Sequence, residues 1–168
     1  MPYSVDYRIV GPAIIGMQPI SSFSDTQQHP LGTIVQASDV NYGVGEFIYL
    51  KGLASTAQGS WVTYNYDDFT TALLAANAIG PVAVAMSACV ANKFGWYQIA
   101  GKTVGKAATG YADNGLVYAT ATAGTIDDAV VAGDRVKNAL GASALDTPAT
   151  GFAEFEISRP WMDDATAA

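Results

Sequence analysis

The sequence is poor in the groups that most protein chemistry needs. It has one cysteine and one histidine in 168 residues, and only 14% of its side chains are charged, about half the share usual in a soluble chain. A lone cysteine excludes an intrachain disulfide and any multi-cysteine zinc site. Cys89 lies in the apolar run 83–91, where a small buried hydrophobe in a core strand is the plain reading. With 8 Lys and Arg against 15 Asp and Glu, the net charge is −7. The few basic side chains are scattered, Lys102 and Lys106 being the nearest to a patch, so no nucleic-acid partner is expected. The longest apolar stretch, 78–91, is interrupted by Gly80-Pro81 and falls short of the roughly 20 residues of a bilayer helix, so no membrane partner is expected either. No basic flank precedes an apolar run at the amino terminus, and Asp6 stands there instead; the reading is a soluble protein without a targeting segment.

What is present is hydrophobic. Half of the residues are apolar or aromatic, which excludes disorder as a global description, and the length fits one domain. Four of the seven prolines, Pro2, Pro12, Pro19 and Pro30, fall in the first thirty residues, so no continuous helix can run there. Yet Tyr3, Tyr7, Ile9, Ile14, Ile15, Met17, Ile20 and Phe23 are too many large apolar groups for a solvated linker, since burying each is worth about 1.5–3 kcal/mol. These eight are the candidate partner-binding residues of an extended arm, 1–30. Fully extended, thirty residues reach about 100 Å, far beyond the roughly 15 Å radius of gyration of such a domain. The arm can therefore cross to a neighbouring molecule, or wrap its own domain as an edge strand.

From Gly32 the pattern changes to short runs with period-two alternation, bounded by Gly, Asn and Asp. Strands are predicted at 33–37, 46–51, 60–66, 81–86, 96–100, 103–109, 116–122 and 152–158. In the last, Ala153, Phe155 and Ile157 face one way and Glu154 and Glu156 the other. In 60–66 aromatic residues fall on both faces, which predicts burial on both and packing beyond a single core. Asp67-Asp68 before an alanine-rich run predicts a short capped helix over 67–76, and Asp127-Asp128 a second helix or long loop over 126–139, broken at Gly133. The expected fold is all-β and mainly antiparallel: a β-barrel or sandwich over 31–160 with one or two short helices, the arm before it and a fraying tail, 161–168, after it.

No catalytic constellation is visible. His29 is the sole base for a triad, lacks a nucleophile elbow elsewhere in the chain, and reads as an exposed turn residue. The doublets Asp67-Asp68 and Asp127-Asp128, with Asp134, lack calcium-loop spacing and are read as helix-end charges. Gly43-Val44-Gly45 is followed by a strand pattern where a phosphate loop needs a helix, so it is read as a hairpin turn. Trp61, Trp96, Tyr97, Tyr64 and Tyr66 are candidates for an aromatic sugar platform if they share one exposed face. The chain is read as non-enzymatic, with no cofactor and no metal.

A charge-depleted β domain must hide apolar surface, and oligomerisation or docking on a larger lattice does so. Its acidity favours the outside of a nucleic-acid container over the inside. The runs 45–52, 59–64, 81–85 and 94–101, the last containing Gly95-Trp96-Tyr97-Gln98, resemble the strand-and-turn series of tailed-bacteriophage capsid decoration, or cement, proteins over roughly 31–160. The resemblance implies a β-barrel-like or β-tulip domain on the outer capsid surface, often as a homotrimer, with a dimer the alternative. Such a domain binds the major capsid protein and bridges neighbouring subunits. The arm is longer than the leaders of that family and would serve as the clamp, so that deleting residues 1–28 is expected to leave a folded body. The rival reading is a virion fibre or carbohydrate-binding β-sandwich module that uses the tryptophans.

Overall fold

A computed structural model describes residues 3–4, 6–9 and 16–163 of the chain. The first six strands are β1 Arg8–Ile9, β2 Phe23–Ser24, β3 Ile34–Asp39, β4 Gly43–Lys51, β5 Trp61–Tyr64 and β6 Thr71–Leu73. The other six are β7 Ile79–Ala85, β8 Phe94–Lys106, β9 Leu116–Ala119, β10 Ile126–Asp127, β11 Arg135–Gly141 and β12 Phe152–Asp163. All twelve join one sheet in the order β1-β3-β4-β8-β7-β12-β11-β9-β10, with β2 added to β8 and the β5-β6 pair added to β7. Every ladder between them is antiparallel. The order is an open path that ends at β1 and β10, so among the described residues the expected barrel closure is not found.

The expected helices are also absent among the described residues. In 67–76 the acids cap a hairpin turn instead of a helix. Asn65 Oδ1 accepts from Asp67 N at 2.8 Å, and Asp68 Oδ1 accepts from Thr70 N at 3.0 Å and Thr70 Oγ1 at 2.7 Å. Phe69 completes the turn at φ 55°, and the run that follows, Thr71 to Leu73, pairs with β5. In 126–139 the chain forms β10, a turn and the start of β11. Asp128 Oδ2 accepts from Ala112 N, which holds the turn against a distant loop. Sheet pairing overrides helix propensity at both places. Gly43-Val44-Gly45 begins β4, and the hairpin turns one step earlier, at 40–42.

A topological conflict shapes the sheet. Strands β7, β8 and β12 each pair antiparallel with the other two. Three straight strands cannot do this, because two strands antiparallel to a third are parallel to each other. At least one must change direction, and the irregularities lie together where the change is needed. Between β4 and β8 the register slips, leaving Ile99 as an extra residue, and Gly101 follows at φ 99°. In β12 the break falls at Arg159, φ 48°, between the residues that pair with β8 and those that pair with β7. Next door, β11 follows with Asn138 at φ 60°, set against residues 158–160. Bulges and left-handed residues on adjacent strands thus form one crease across the sheet.

Folding along the crease encloses three apolar clusters. Phe47, Tyr49 and Trp96 pack on one face of β4 and β8, and Ile48, Leu50, Tyr97 and Ile99 on the other, as period-two alternation requires. A third cluster collects Trp61, Val117, Ile126, Val136 and Phe155. β5 is buried on both faces, Trp61 entering the third cluster and Val62 and Tyr64 the second. Its two-faced burial is met inside one chain.

Bending frees backbone carbonyls, and Gln98 takes them. It is fully buried, its Nε2 donating to Ala100 O at 3.1 Å and Lys102 O at 3.0 Å while its Oε1 lies 3.4 Å from Tyr7 OH. The amide fits because Gly45 faces it: a Cβ there would stand 2.7 Å from Nε2. A Cβ on Gly101 would meet Val44 O at 2.6 Å. Gln98→Leu keeps the volume but removes the side-chain donor to Ala100 O and leaves Lys102 O with Tyr7 OH alone, and should lower unfolding free energy by about 1–3 kcal/mol in urea titrations. An unchanged midpoint would show that the crease does not depend on the amide.

Candidate functional site

The arm was expected to supply a partner-binding surface. Its described part folds back on its own chain. β1 pairs with β3 through Arg8↔Ser38 and Ile9↔Ala37. Tyr3 and Tyr7 are buried in the cluster of Phe47, Tyr49 and Trp96, with Tyr3 OH donating to Val104 O at 3.1 Å and Tyr7 OH to Lys102 O at 3.0 Å. Ile20 is 1% exposed in the same cluster, Met17 packs against it half-buried, and Phe23, on β2, is 45% exposed. Ile9 lies in β1, with its side chain outside the description, and Ile14 and Ile15 lie outside the described residues. Tyr3, Tyr7 and Ile20 therefore fill this chain's core. Removing residues 1–28 would uncover Trp96 and Tyr49.

His29 is half-buried, which corrects the exposed reading. Its Nε2 accepts from Gln18 N at 3.2 Å, and its ring packs on Tyr49 and Trp96 at centroid separations of 5.1 and 5.4 Å. Gln18 ties this corner together: Trp96 Nε1 donates to its carbonyl and Tyr49 OH to its Oε1. The histidine is a packing element.

The other candidates are likewise occupied by structure. Asp134 is buried and accepts from Asn77 N at 2.6 Å, and Asp127 Oδ1 accepts from Asp128 N. The two hydrogen bonds from Thr70 hold the Asp68 carboxyl below the usual carboxylate range. Cys89 is buried in the loop after β7 rather than in a strand, and burial pushes its thiol up, away from the reactive thiolate. Among the described residues no three His, Cys, Asp or Glu side chains are grouped to hold a metal ion. The five-residue aromatic platform is not built: Trp61, Trp96 and Tyr97 are fully buried in three different clusters, and of the five only Tyr66 is exposed.

What the surface does offer is apolar. Among the described residues twelve large hydrophobic side chains are more than a third exposed. Three of them, Ile34, Val40 and Val44, lie on the β3–β4 hairpin beside the arm, with Val40 at the tip 96% exposed. β1 ends the sheet there with two residues and, among the described residues, pairs on one edge only; a cleft lined by Asp6, Arg8, Ser38, Asp39 and Val40 runs alongside. Asp39 fixes this corner by accepting from Asp6 N, Asn41 N and Tyr42 N. Sequence reasoning missed this hairpin tip because isolated valines carry no signal until the turn places them. No protein family, curated protein or solved structure matches the chain.

The buried phenols of Tyr3, Tyr7, Tyr64, Tyr97 and Tyr111 are all raised above the ordinary tyrosine value, chiefly by burial. The folded chain therefore holds these protons more tightly than the unfolded chain, and unfolding at high pH releases them. Stability should stay level up to about pH 10 and fall as pH rises beyond it, with phenolate absorbance appearing together with loss of the fold. A smooth phenolate titration that precedes unfolding would contradict this. Tyr3→Phe and Tyr7→Phe should each cost about 1 kcal/mol in urea unfolding through the lost carbonyl contact.

Proposed function

We propose that this chain is a non-enzymatic structural protein that docks on the outer surface of a bacteriophage capsid and bridges neighbouring capsid-protein subunits. The observation that carries the reading is the arm-side flank, where a two-residue edge strand, paired on one side only among the described residues, lies beside a hairpin with exposed Val40 and Val44. An open edge accepts an extended segment of a partner by backbone pairing, and apolar side chains beside it supply burial. The depleted charge, the acidic balance and the resemblance of 31–160 to decoration proteins support the same reading. Docking of this kind makes and breaks no covalent bond. Repeated copies, as a homotrimer in the family resembled, multiply weak contacts into firm attachment.

The arm's role differs from that of a free clamp. Tyr3 and Tyr7 hold β1 in place from inside, so the arm presents an edge to the partner while its own anchors stay in the core. The partner-facing residues are then the hairpin valines and the outer edge of β1.

Incubating the protein with undecorated capsid shells, then sedimenting and imaging them, tests the reading. Copies should appear at fixed lattice positions. Val40→Asp with Val44→Asp, both at exposed positions, should weaken attachment about tenfold or more while leaving urea unfolding within about 0.5 kcal/mol of the native chain. A pellet free of the protein would refute capsid docking, and undiminished attachment of the double variant would move the contact to another face.

A further inference from the structure

A second surface feature lies away from the arm. The β5–β7 ladder runs from Trp61↔Val84 to Thr63↔Val82 and stops. Its next rung would set Tyr64 against Pro81, which has no N–H to give the Tyr64 carbonyl. β7 turns instead to β12 through Pro81↔Trp161 and Ile79↔Asp163, and the two strands splay. The splay opens a groove of about 460 Å³ lined by residues 63–66, 70–72 and 79–81. That size lies within the roughly 300–1,000 Å³ of small-ligand clefts.

The lining is chemically selective. None of its ten residues carries an ionised side chain. Tyr66 leaves the sheet 57% exposed, and its ring is steadied edge-on by Tyr64 and Phe69 at centroid separations of 5.4 and 6.1 Å. Asn65 uses its Oδ1 on Asp67 N, and its amide NH2 makes no hydrogen bond among the described residues. Thr63 adds a hydroxyl, Thr70 Oγ1, whose proton goes to Asp68, adds an acceptor oxygen, and Ile79, 68% exposed, closes the far rim. An aromatic face beside hydroxyl and amide groups, with no charge, complements a ligand that has apolar C–H faces and hydroxyl edges and is itself neutral. An anionic or cationic ligand would find no counter-charge in the lining.

We infer that this groove is a binding site for a neutral saccharide, one sugar ring stacking on Tyr66 and its hydroxyls bonding Asn65 and the threonines. The site involves none of the hairpin or arm residues and stands independently of capsid docking.

Amide-shift titrations of the intact chain with maltose, cellobiose, lactose and N,N′-diacetylchitobiose, with N-acetylneuraminic acid as the charged control, test it. At least one neutral probe should shift resonances of 63–66 and 79–81 selectively, and the acid should not. Tyr66→Ala should weaken that binding about three- to tenfold in a chain that still unfolds cooperatively in urea, and Tyr66→Phe, which keeps the ring contacts, should retain most of the binding without moving the urea midpoint. The inference falls if no neutral probe shifts these resonances, if the acid binds as well, or if Tyr66→Ala binds like the native chain.

Discussion

The fold depends on how one buried amide resolves a geometric contradiction. Three mutually antiparallel strands can coexist only if the sheet bends, and bending strips partners from backbone carbonyls at the bend. Gln98 supplies donors to two of them from inside, at 0% exposure, and Gly45 and Gly101 give the room. Tyr7 closes the network from the arm. A leucine would suit the surrounding apolar cluster better by hydrophobicity alone. The amide is there because polar satisfaction at a buried bend outweighs apolar transfer. The salt bridge from Arg159 Nη2 to Glu46 Oε2, 2.9 Å, straps the outside of the same crease, and its exposure keeps its contribution small.

That crease also explains where the hydrophobic residues go. The sequence looks too apolar for its size because a flat sheet buries only two faces. Bent, it encloses three clusters, and Trp61, Trp96 and Tyr97, which read as surplus aromatics, each occupy a different one. The arm joins the cluster of Phe47, Tyr49 and Trp96. The apolar side chains left outside are mostly single and dispersed, with the β3–β4 hairpin and the rim of the β5–β7 groove as the places where the fold sets them beside something able to receive a ligand or partner.

Legibility in the sequence followed the strength of local signals. The alternation of 152–158 placed the first part of β12, which runs on to Asp163 and so takes 161–163 out of the expected fraying tail; the apolar run 46–51 placed most of β4, and the predicted gap between 96–100 and 103–109 marks the bend in what is a single strand, β8. The misread helices share one cause. Alanine-rich runs after aspartate doublets have the local character of capped helices, whereas their neighbours in space are strands with free edges, and that competition is invisible at short range. β6 and β10, at three and two residues, are too short to show any period. The arm's aromatic content was apparent, but the carbonyls of Lys102 and Val104 that anchor it could not be located without the crease. His29 gave no sign of its stacking on Tyr49 and Trp96, because the contact is made across a turn whose closure depends on Gln18.

Tyr3 emerges from the ribosome 101 residues ahead of the carbonyl that receives it. At about 5–20 residues per second, some 5–20 s pass before Val104 even exists as a partner, and β12 must follow before the bend is complete. During that interval the leading aromatics are exposed while the later strands are still being made. The order of synthesis is thus the reverse of the order of need, and the opening stretch behaves as a latch that can engage only after the frame it fastens has been assembled.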